Sequence, residues 1–147
     1  LQNRTYLRKK LGCVKREFQV YLASPENHIR GIVDEVLELD DGTRAVLDYK
    51  FSKLPRKIYR THRWQLVFYS LLVSLAYNCP VKRGFLLYTR DNNKVVEMPI
   101  RARDFEKLEE LVNEIFEVIA RGCFPPPAPH PVRCADCCYR NICPEGF

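Results

Sequence analysis

Apolar and polar residues alternate along three stretches in the first third of the chain. These stretches cover residues 17–24, 30–39 and 44–51, and a period of two is typical of half-buried β-strands. Residues 58–77 then contain no glycine or proline and are apolar on several faces. Such a segment predicts a largely buried α-helix, so a sheet and a helix share the core.

The second half of the chain repeats this change of period. Residues 84–90 and 94–100 predict a second hairpin, and apolar residues at helical spacing follow Asp104, the predicted N-cap of a helix that ends at Gly122. We therefore expect an α/β (α+β) fold, in which helices flank a central mixed β-sheet. The predicted domain covers residues 1–124, and we expect residues 125–147 to form a proline-rich arm and cysteine tail packed on it.

Composition and charge narrow the class of protein. Apolar residues make up 46% of the 147 residues, which is enough for one domain with a core. No apolar run is long enough to span a membrane, so we expect a cytoplasmic protein without a membrane partner. The net charge of +6 and the acid-free basic segment 53–63, which includes Lys53, Arg60 and Arg63, favour nucleic acid as the partner.

The turn of the first hairpin decides which of its side chains share a face. With a two-residue turn, Asp34 and Asp48 would point to opposite faces of the sheet. With a three-residue loop that ends at Gly42 in the left-handed conformation, Val36 pairs with Val46 and Asp34 with Asp48. We favour the second register because it pairs apolar residues, and it also places two carboxylates side by side.

Two adjacent carboxylates repel each other, and a divalent cation between them would remove that repulsion. Lys50 lies two residues beyond Asp48 and on the same face of the strand. A lysine there could orient an attacking water or stabilise negative charge that develops on a phosphate. The alternative interpretation is that Asp34 and Asp48 are solvent-facing residues near strand ends.

Gln65 and Tyr69 supply the next polar pair. They are four residues apart, so they share one face of the predicted helix. Either they are buried polar residues that satisfy each other, or they face the substrate that the basic segment attracts.

Four of the seven cysteines fall within the last fourteen residues. Cys134, Cys137 and Cys143 have the spacing C-x2-C-x5-C, which suits an iron–sulfur cluster or, as the second choice, a zinc ion. Cys138 is adjacent to Cys137, and neighbouring side chains rarely reach the same small ion. Buried free cysteines are the remaining interpretation.

The motifs together resemble a known family. Gly-Ile-Val-Asp34, Leu-Asp48-Tyr-Lys50 and Gln65-x-x-x-Tyr69 match the RecB-like form of the PD-(D/E)xK nuclease motifs. With the cysteine tail they resemble the CRISPR-associated RecB-like exonucleases, the "Cas-four" family. The resemblance runs from Glu17 to Pro144.

The resemblance implies a metal-dependent DNA exonuclease that acts on single-stranded DNA or single-stranded ends. It implies that Asp34, Asp48 and the backbone carbonyl of Tyr49 bind Mg²⁺ or Mn²⁺, and that Lys50 is the catalytic lysine. Gln65 and Tyr69 correspond to the pair that positions the DNA. The family trims DNA fragments for insertion into CRISPR arrays, in partnership with the CRISPR integrase proteins, and we keep a homo-oligomer among the expectations.

The resemblance also implies an iron–sulfur cluster held by four cysteines, of the 4Fe-4S type in preference to 2Fe-2S. Cys134, Cys137 and Cys143 account for three of its ligands. The fourth is a cysteine in a missing N-terminal segment, or Cys13, or Cys138.

Two other functions compete with this interpretation. One is the RecB-like nuclease domain of a DNA-repair helicase–nuclease. The other is a catalytically silent DNA-binding scaffold that keeps the nuclease fold, although the presence of both acids and the lysine counts against it.

Overall fold

A computed structural model describes residues 9–122, 124, 126 and 128–144 of the chain. They divide into two compact units, the first ending at Glu109 and the second beginning at Glu110. No helix within these described ranges is both long and apolar enough to cross a membrane.

The first unit contains one five-stranded sheet in which the strands lie in chain order. The strands are β1 (Cys13–Ser24), β2 (Ile29–Leu39), β3 (Arg44–Lys50), β4 (Val81–Tyr88) and β5 (Lys94–Pro99). The pairs β1–β2, β2–β3 and β4–β5 are antiparallel, whereas β3 and β4 are parallel. A parallel pair needs a crossover connection, and helix α1 (Arg60–Tyr77) supplies it.

The loop between β2 and β3 has the three-residue form that turn chemistry favoured. Gly42 has φ of +77°, and its backbone N–H donates to the carbonyl of Leu39. Val36 pairs with Val46 across the ladder. The predicted register is therefore confirmed, and it sets the relative positions of the acidic residues on the two strands.

Helix α1 covers one face of the sheet. Its buried residues Leu66, Val67 and Val73 pack into a cluster with residues of β2, β3 and β4, as the apolar pattern predicted. The helix begins at Arg60 rather than at residue 58, because Tyr59 is still extended, with ψ of 141°. It ends at Tyr77 and is capped by Asn78, whose φ of 46° is left-handed.

The opposite face of the central strands is also buried. A second apolar cluster there contains Leu37, Leu39, Ala45, Leu47, Phe85 and Leu87. One carboxylate shares this face: Glu35 is 1% exposed, accepts a hydrogen bond from the Tyr49 hydroxyl and lies 3.4 Å from the Arg16 guanidinium. The middle of the sheet is thus covered on both sides, as is typical of parallel strand pairs.

Helix α2 (Ala102–Arg121) begins in the first unit and continues into the second. Asp104 was expected to be its N-cap, but it lies in the first turn, and its Oδ2 accepts a hydrogen bond from the backbone N–H of Arg101 at 2.9 Å. It therefore acts as the reciprocal half of a capping box. The second unit also contains the short helix α3 (Val132–Ala135).

The observed mixed sheet with flanking helices confirms the predicted fold class. The strand predicted over 17–24 is longer than expected and starts at Cys13. The predicted extent of the nuclease domain, residues 1–124, and the packing of a tail over 125–147 stay predictions.

Candidate active site

The candidate site lies where the parallel strands β3 and β4 end. Asp48 and Lys50 are the last residues of β3 on the side of the sheet that faces α1, since their partners belong to that helix and to β2. The carboxyl ends of parallel strands are where open sheets usually bind their ligands. The fold therefore places Asp48 and Lys50 at the edge of the sheet where ligands usually bind.

Asp34 of β2 is held by two donors. Its Oδ2 accepts the backbone N–H of Tyr49 at 2.9 Å, and its Oδ1 accepts the side-chain amide of Gln19 at 3.4 Å. The bond to Tyr49 ties Asp34 to the residue between Asp48 and Lys50. The carboxylate therefore lies beside the end of β3, as the register predicted.

Asp48 is a buried carboxylate with a cation at its side. It is 2% exposed, and its Oδ2 lies 2.6 Å from the Lys50 ammonium. The approach makes a close ion pair rather than a regular hydrogen bond, and this oxygen accepts no regular hydrogen bond among the described residues. Burial raises the pKa of Asp48 above its usual value, and nearby Asp34 raises it further, while Lys50 opposes the increase.

Lys50 connects the hairpin to the helix. Its ammonium donates to the side-chain oxygen of Gln65 at 2.5 Å. The amide nitrogen of Gln65 in turn donates to the hydroxyl of Tyr69 at 3.2 Å. The two helix residues predicted to share a face are thus in contact, and one of them holds the lysine.

The three predicted DNA-positioning cations differ in their surroundings. Lys53 and Arg60 are exposed. Arg63 is instead half-buried, and its guanidinium lies 2.9 Å from Asp104 in an ion pair. Burial alone would raise the pKa of Asp104, but the Arg101 backbone N–H and the Arg63 guanidinium together lower it. Arg63 thus has a structural partner, and its role toward DNA stays a prediction.

Two contributors to the site were not predicted. Gln19, which donates to Asp34, has φ of +49° in the middle of β1, a conformation that is uncommon for a residue with a side chain. Tyr88 pairs with Lys50 across β3 and β4, and its hydroxyl lies 3.1 Å from Nδ1 of His62. No local sequence pattern reveals either contact, because each depends on how distant strands pair.

His62 and Tyr88 form a neutral pair beside the lysine. Burial lowers the pKa of His62, and the positive charge of Lys50 lowers it further. Burial raises the pKa of Tyr88, helped by the charge of Asp48. At neutral pH both groups are therefore uncharged, so they add no charge to the Asp34, Asp48 and Lys50 set.

The donor set fits a divalent cation. Asp34 and Asp48 present two carboxylates, and Asp48 Oδ2 is a buried oxygen whose charge is balanced by the Lys50 ammonium at 2.6 Å. Mg²⁺ is typically held by one or two carboxylates and completes its shell with water and substrate phosphate. Within the described ranges no group of three His, Cys, Asp or Glu side chains is gathered to hold a metal. The fit thus rests on two acids, and water and substrate phosphate would complete the shell.

The cysteine tail does not show a formed metal site. Cys134 lies in α3 and the backbone N–H of Cys143 donates to the carbonyl of Tyr139 at 3.0 Å. Cys137 and Cys138 are exposed. These thiols are not gathered as a metal-binding group in the part of the chain that the structure describes.

The remaining cysteines are separate from this tail in the sequence. Cys13 begins β1, and its thiol lies 3.2 Å from the carbonyl oxygen of Lys15. Cys79 follows α1. Cys123 lies outside the described residues.

Comparison with known proteins identifies the family of the chain. The model of the PD-(D/E)XK nuclease superfamily matches residues 2–144 of the chain. The chain belongs to this superfamily. The match includes both acids, the lysine and the helix that holds it, so the nuclease prediction is confirmed at this level.

Two curated relatives of this superfamily member carry the same name. A CRISPR-associated exonuclease Cas4 from Thermoproteus tenax is 28% identical over 135 residues, which are 92% of this chain and 68% of the relative. The protein of that name from Francisella tularensis subsp. novicida is 28% identical over 142 residues, 97% of this chain and 69% of the relative. These similarities confirm the resemblance to the Cas4-like, RecB-type nucleases.

A solved structure has a similar fold. The crystal structure of SSO0001 superimposes with a TM-score of 0.55 at 18% identity, over 99% of this chain and 67% of that one. At this identity the likeness concerns the fold alone.

Proposed function

We propose that this protein is a metal-dependent DNA exonuclease that acts on single-stranded DNA ends and prepares fragments for CRISPR spacer acquisition. The observation that carries the proposal is the linked set Asp34, Asp48, Lys50 and Gln65 at the ends of β3 and β4. The names of the two curated relatives support the exonuclease activity and the CRISPR context.

Asp34 and Asp48 hold the divalent cation in this proposal, together with the backbone carbonyl of Tyr49. Mg²⁺ or Mn²⁺, when bound, would polarise the scissile phosphate and lower the pKa of a water. The Tyr49 N–H fixes Asp34, and Asp48 is buried with its Oδ2 against the Lys50 ammonium. The acids are thus preorganised before DNA arrives.

Lys50 acts on the phosphate in this proposal. Its ammonium, held by Gln65 at 2.5 Å, orients the attacking water and stabilises the negative charge that develops on the phosphoryl oxygens as the P–O bond to the leaving nucleotide breaks. Tyr69 fixes Gln65 through its hydroxyl. Because Gln65 and Tyr69 are hydrogen-bonded to each other, they would position Lys50 and the DNA strand together.

Exposed basic side chains would hold the DNA strand. Lys53 and Arg60 lie just before and at the start of α1, and contacts of this kind to phosphates provide salt-dependent, sequence-independent affinity. Arg63 contributes less, because Asp104 already neutralises it at 2.9 Å.

The proposal includes an iron–sulfur cluster in the tail. The spacing of Cys134, Cys137 and Cys143 supports it, and a fourth thiolate from Cys13, Cys138 or an N-terminal segment would complete it. The absorption spectrum of anaerobically purified protein tests this part. A visible iron–sulfur band is expected, and a colourless, zinc-loaded sample would refute the cluster but not the nuclease.

The proposal also assigns a cellular setting. DNA is the substrate, CRISPR integrase proteins are the partners, and the cytoplasm is the location; a homo-oligomer is compatible with these roles. Co-purification with the integrase and size-exclusion chromatography would test the partners and the oligomer.

The test of the activity is degradation of end-labelled linear single-stranded DNA with Mg²⁺ or Mn²⁺. The parent protein should shorten the strand, and Asp48→Asn and Lys50→Gln should each abolish shortening. Asp40→Asn and Lys82→Gln are the matched controls, because these exposed residues carry the same charges at the other end of the strands, where Asp40 follows β2 and Lys82 lies at the start of β4. Cleavage that persists in both site variants would refute the assignment.

A further inference from the structure

One large apolar side chain next to the candidate active site is left in solvent. Phe51 directly follows Lys50 and is 85% exposed, which is the largest exposure of any big hydrophobic side chain in the described part of the chain. A ring so exposed contributes little packing to the fold. Its position therefore calls for an explanation other than stability.

The backbone that carries this ring is fixed on both sides. The carbonyl of Lys50 accepts the backbone N–H groups of Ser52 at 2.8 Å and of Thr89 at 3.0 Å. The carbonyl of Ser52 accepts the N–H of Arg90 at 3.3 Å. Phe51 is thus presented to solvent on an anchored turn at the ends of β3 and β4, where a ligand need not order the backbone.

A cation accompanies the ring. The guanidinium of Arg90 lies 5.6 Å from the centroid of the Phe51 ring, within the range of a cation–π contact. Residues 51–65 contain no acidic side chain and include Lys53 and Arg60. The surroundings of the ring are thus suited to a ligand that combines a flat apolar face with negative charge.

We propose that Phe51 and Arg90 form a stacking platform for an unpaired nucleobase of the DNA strand that enters the site. The base stacks on the phenyl ring, and the guanidinium contacts the neighbouring phosphate. Stacking of bases on aromatic side chains is tolerant of sequence. In a duplex the base faces are already covered, so the platform selects single-stranded ends. This inference rests on the proposed nuclease function and names its specificity determinant.

The chain contains a matched control pair. Phe18 is 49% exposed, and the Arg16 guanidinium lies 4.3 Å from its ring centroid. Phe18 pairs with Glu35, whose carboxylate contacts Tyr49 and therefore belongs to the other face of the sheet from Asp48 and Lys50. An exposed phenylalanine beside an arginine is thus available away from the site.

The test is binding of fluorescein-labelled oligothymidylate in EDTA, where no cleavage occurs. Phe51→Ala should weaken binding about five- to 150-fold, the range expected for loss of one base–aromatic stack. Phe18→Ala should leave binding unchanged. A strand of the same length with abasic sites should bind the parent and Phe51→Ala alike, because it keeps the phosphates and lacks the bases.

A second variant reports contact directly. Phe51→Trp should retain binding, and its added fluorescence should be quenched by oligothymidylate but not by the abasic strand. Trp64 is the chain's own tryptophan, so the parent supplies the baseline. Phe18→Trp should show no such quenching.

Several results would overturn the platform. They are unchanged binding by Phe51→Ala, an equal loss in Phe18→Ala, an equal loss on the abasic strand, or no binding of oligothymidylate by the parent. Phe51-dependent binding without cleavage in Mg²⁺ or Mn²⁺ would instead refute the nuclease function and leave the platform. Asp48-dependent cleavage with Phe51-independent binding would refute the platform alone.

Discussion

Gly84 of β4 lies tightly against Leu66 of α1, and this contact gives a sharp test of how the site is supported. A Cβ added at Gly84 would lie 2.9 to 3.0 Å from three side-chain carbons of Leu66. Leu66 is fully buried and follows Gln65, the residue that holds Lys50. Gly84→Ala should therefore push α1 away from the strand that ends in the site.

The expected size of the effect follows from these distances. Ordinary carbon contacts begin near 3.4 Å, so Leu66 must retreat by about 0.5 Å. The three carbons include Cγ, which does not move when χ2 rotates, so rotating the two methyl groups alone cannot relieve the clash. Overpacking of this kind costs about 1–3 kcal/mol, and Leu66→Ala alone costs about 2–5 kcal/mol through the cavity that it leaves.

The double variant should recover part of the loss. The methyl of Gly84→Ala fills some of the cavity left by Leu66→Ala, so the double variant should be more stable than the sum of the single effects by about 0.5–3 kcal/mol. Urea denaturation measures each free energy of unfolding. Leu72→Ala is the control partner, because Leu72 is buried on the same helix about 9 Å further along its axis.

Leu72→Ala and Gly84→Ala should have additive effects on the free energy of unfolding. The reasoning is refuted if Gly84→Ala and Leu66→Ala are also additive within about 0.5 kcal/mol, or if Gly84→Ala alone has no effect on stability. A further consequence is functional: single-stranded DNA cleavage should fall in Gly84→Ala more than its folded fraction accounts for, since Gln65 moves with Leu66.

Two more predictions concern the charged groups. The pKa of Asp48 is raised in the folded state, chiefly by burial, so the free energy of unfolding of the metal-free protein should fall as pH rises from about 3.8 through the raised pKa. Urea denaturation at a series of pH values measures this decrease, and Asp48→Asn should lack it. If the parent and Asp48→Asn have identical pH profiles, the argument is contradicted. Tyr49→Phe should lower the free energy of unfolding by about 1–3 kcal/mol, because the buried Glu35 loses its hydroxyl donor. The exposed control Tyr21→Phe should change nothing, and equal effects would count against the buried contact.

The parts of the site that the sequence predicted are those that local chemistry controls. Gly42 adopts a left-handed conformation that few residues tolerate, and this one turn sets the register that brings Asp34 beside Asp48. Gln65 and Tyr69 meet because the helix period places residues four apart on one face. Each inference needed only a few neighbouring residues, so sequence reasoning could make it.

The parts that were not predicted depend on contacts between distant segments. Arg63 pairs with Asp104, 41 residues away, so a cation that the basic segment suggested for DNA has a structural partner. Gln19 reaches Asp34 only because β1 pairs with β2 as the edge strand. Nothing in the local pattern of either segment distinguishes these residues from ordinary surface residues.

A series of side-chain contacts links Asp48 to Lys50, Gln65 and Tyr69, and it explains why the hairpin alone is an incomplete site. Lys50 and a divalent cation would both be attracted to Asp48, and a lysine that lost its carboxylate partner in a buried place would be destabilised. Gln65 already accepts a hydrogen bond from the ammonium at 2.5 Å, so Lys50 keeps a partner when Asp48 is shared with a cation. Tyr69 holds Gln65 in that position. Gln65 and Tyr69 would therefore allow the two acids to bind metal while Lys50 stays ordered beside the phosphate.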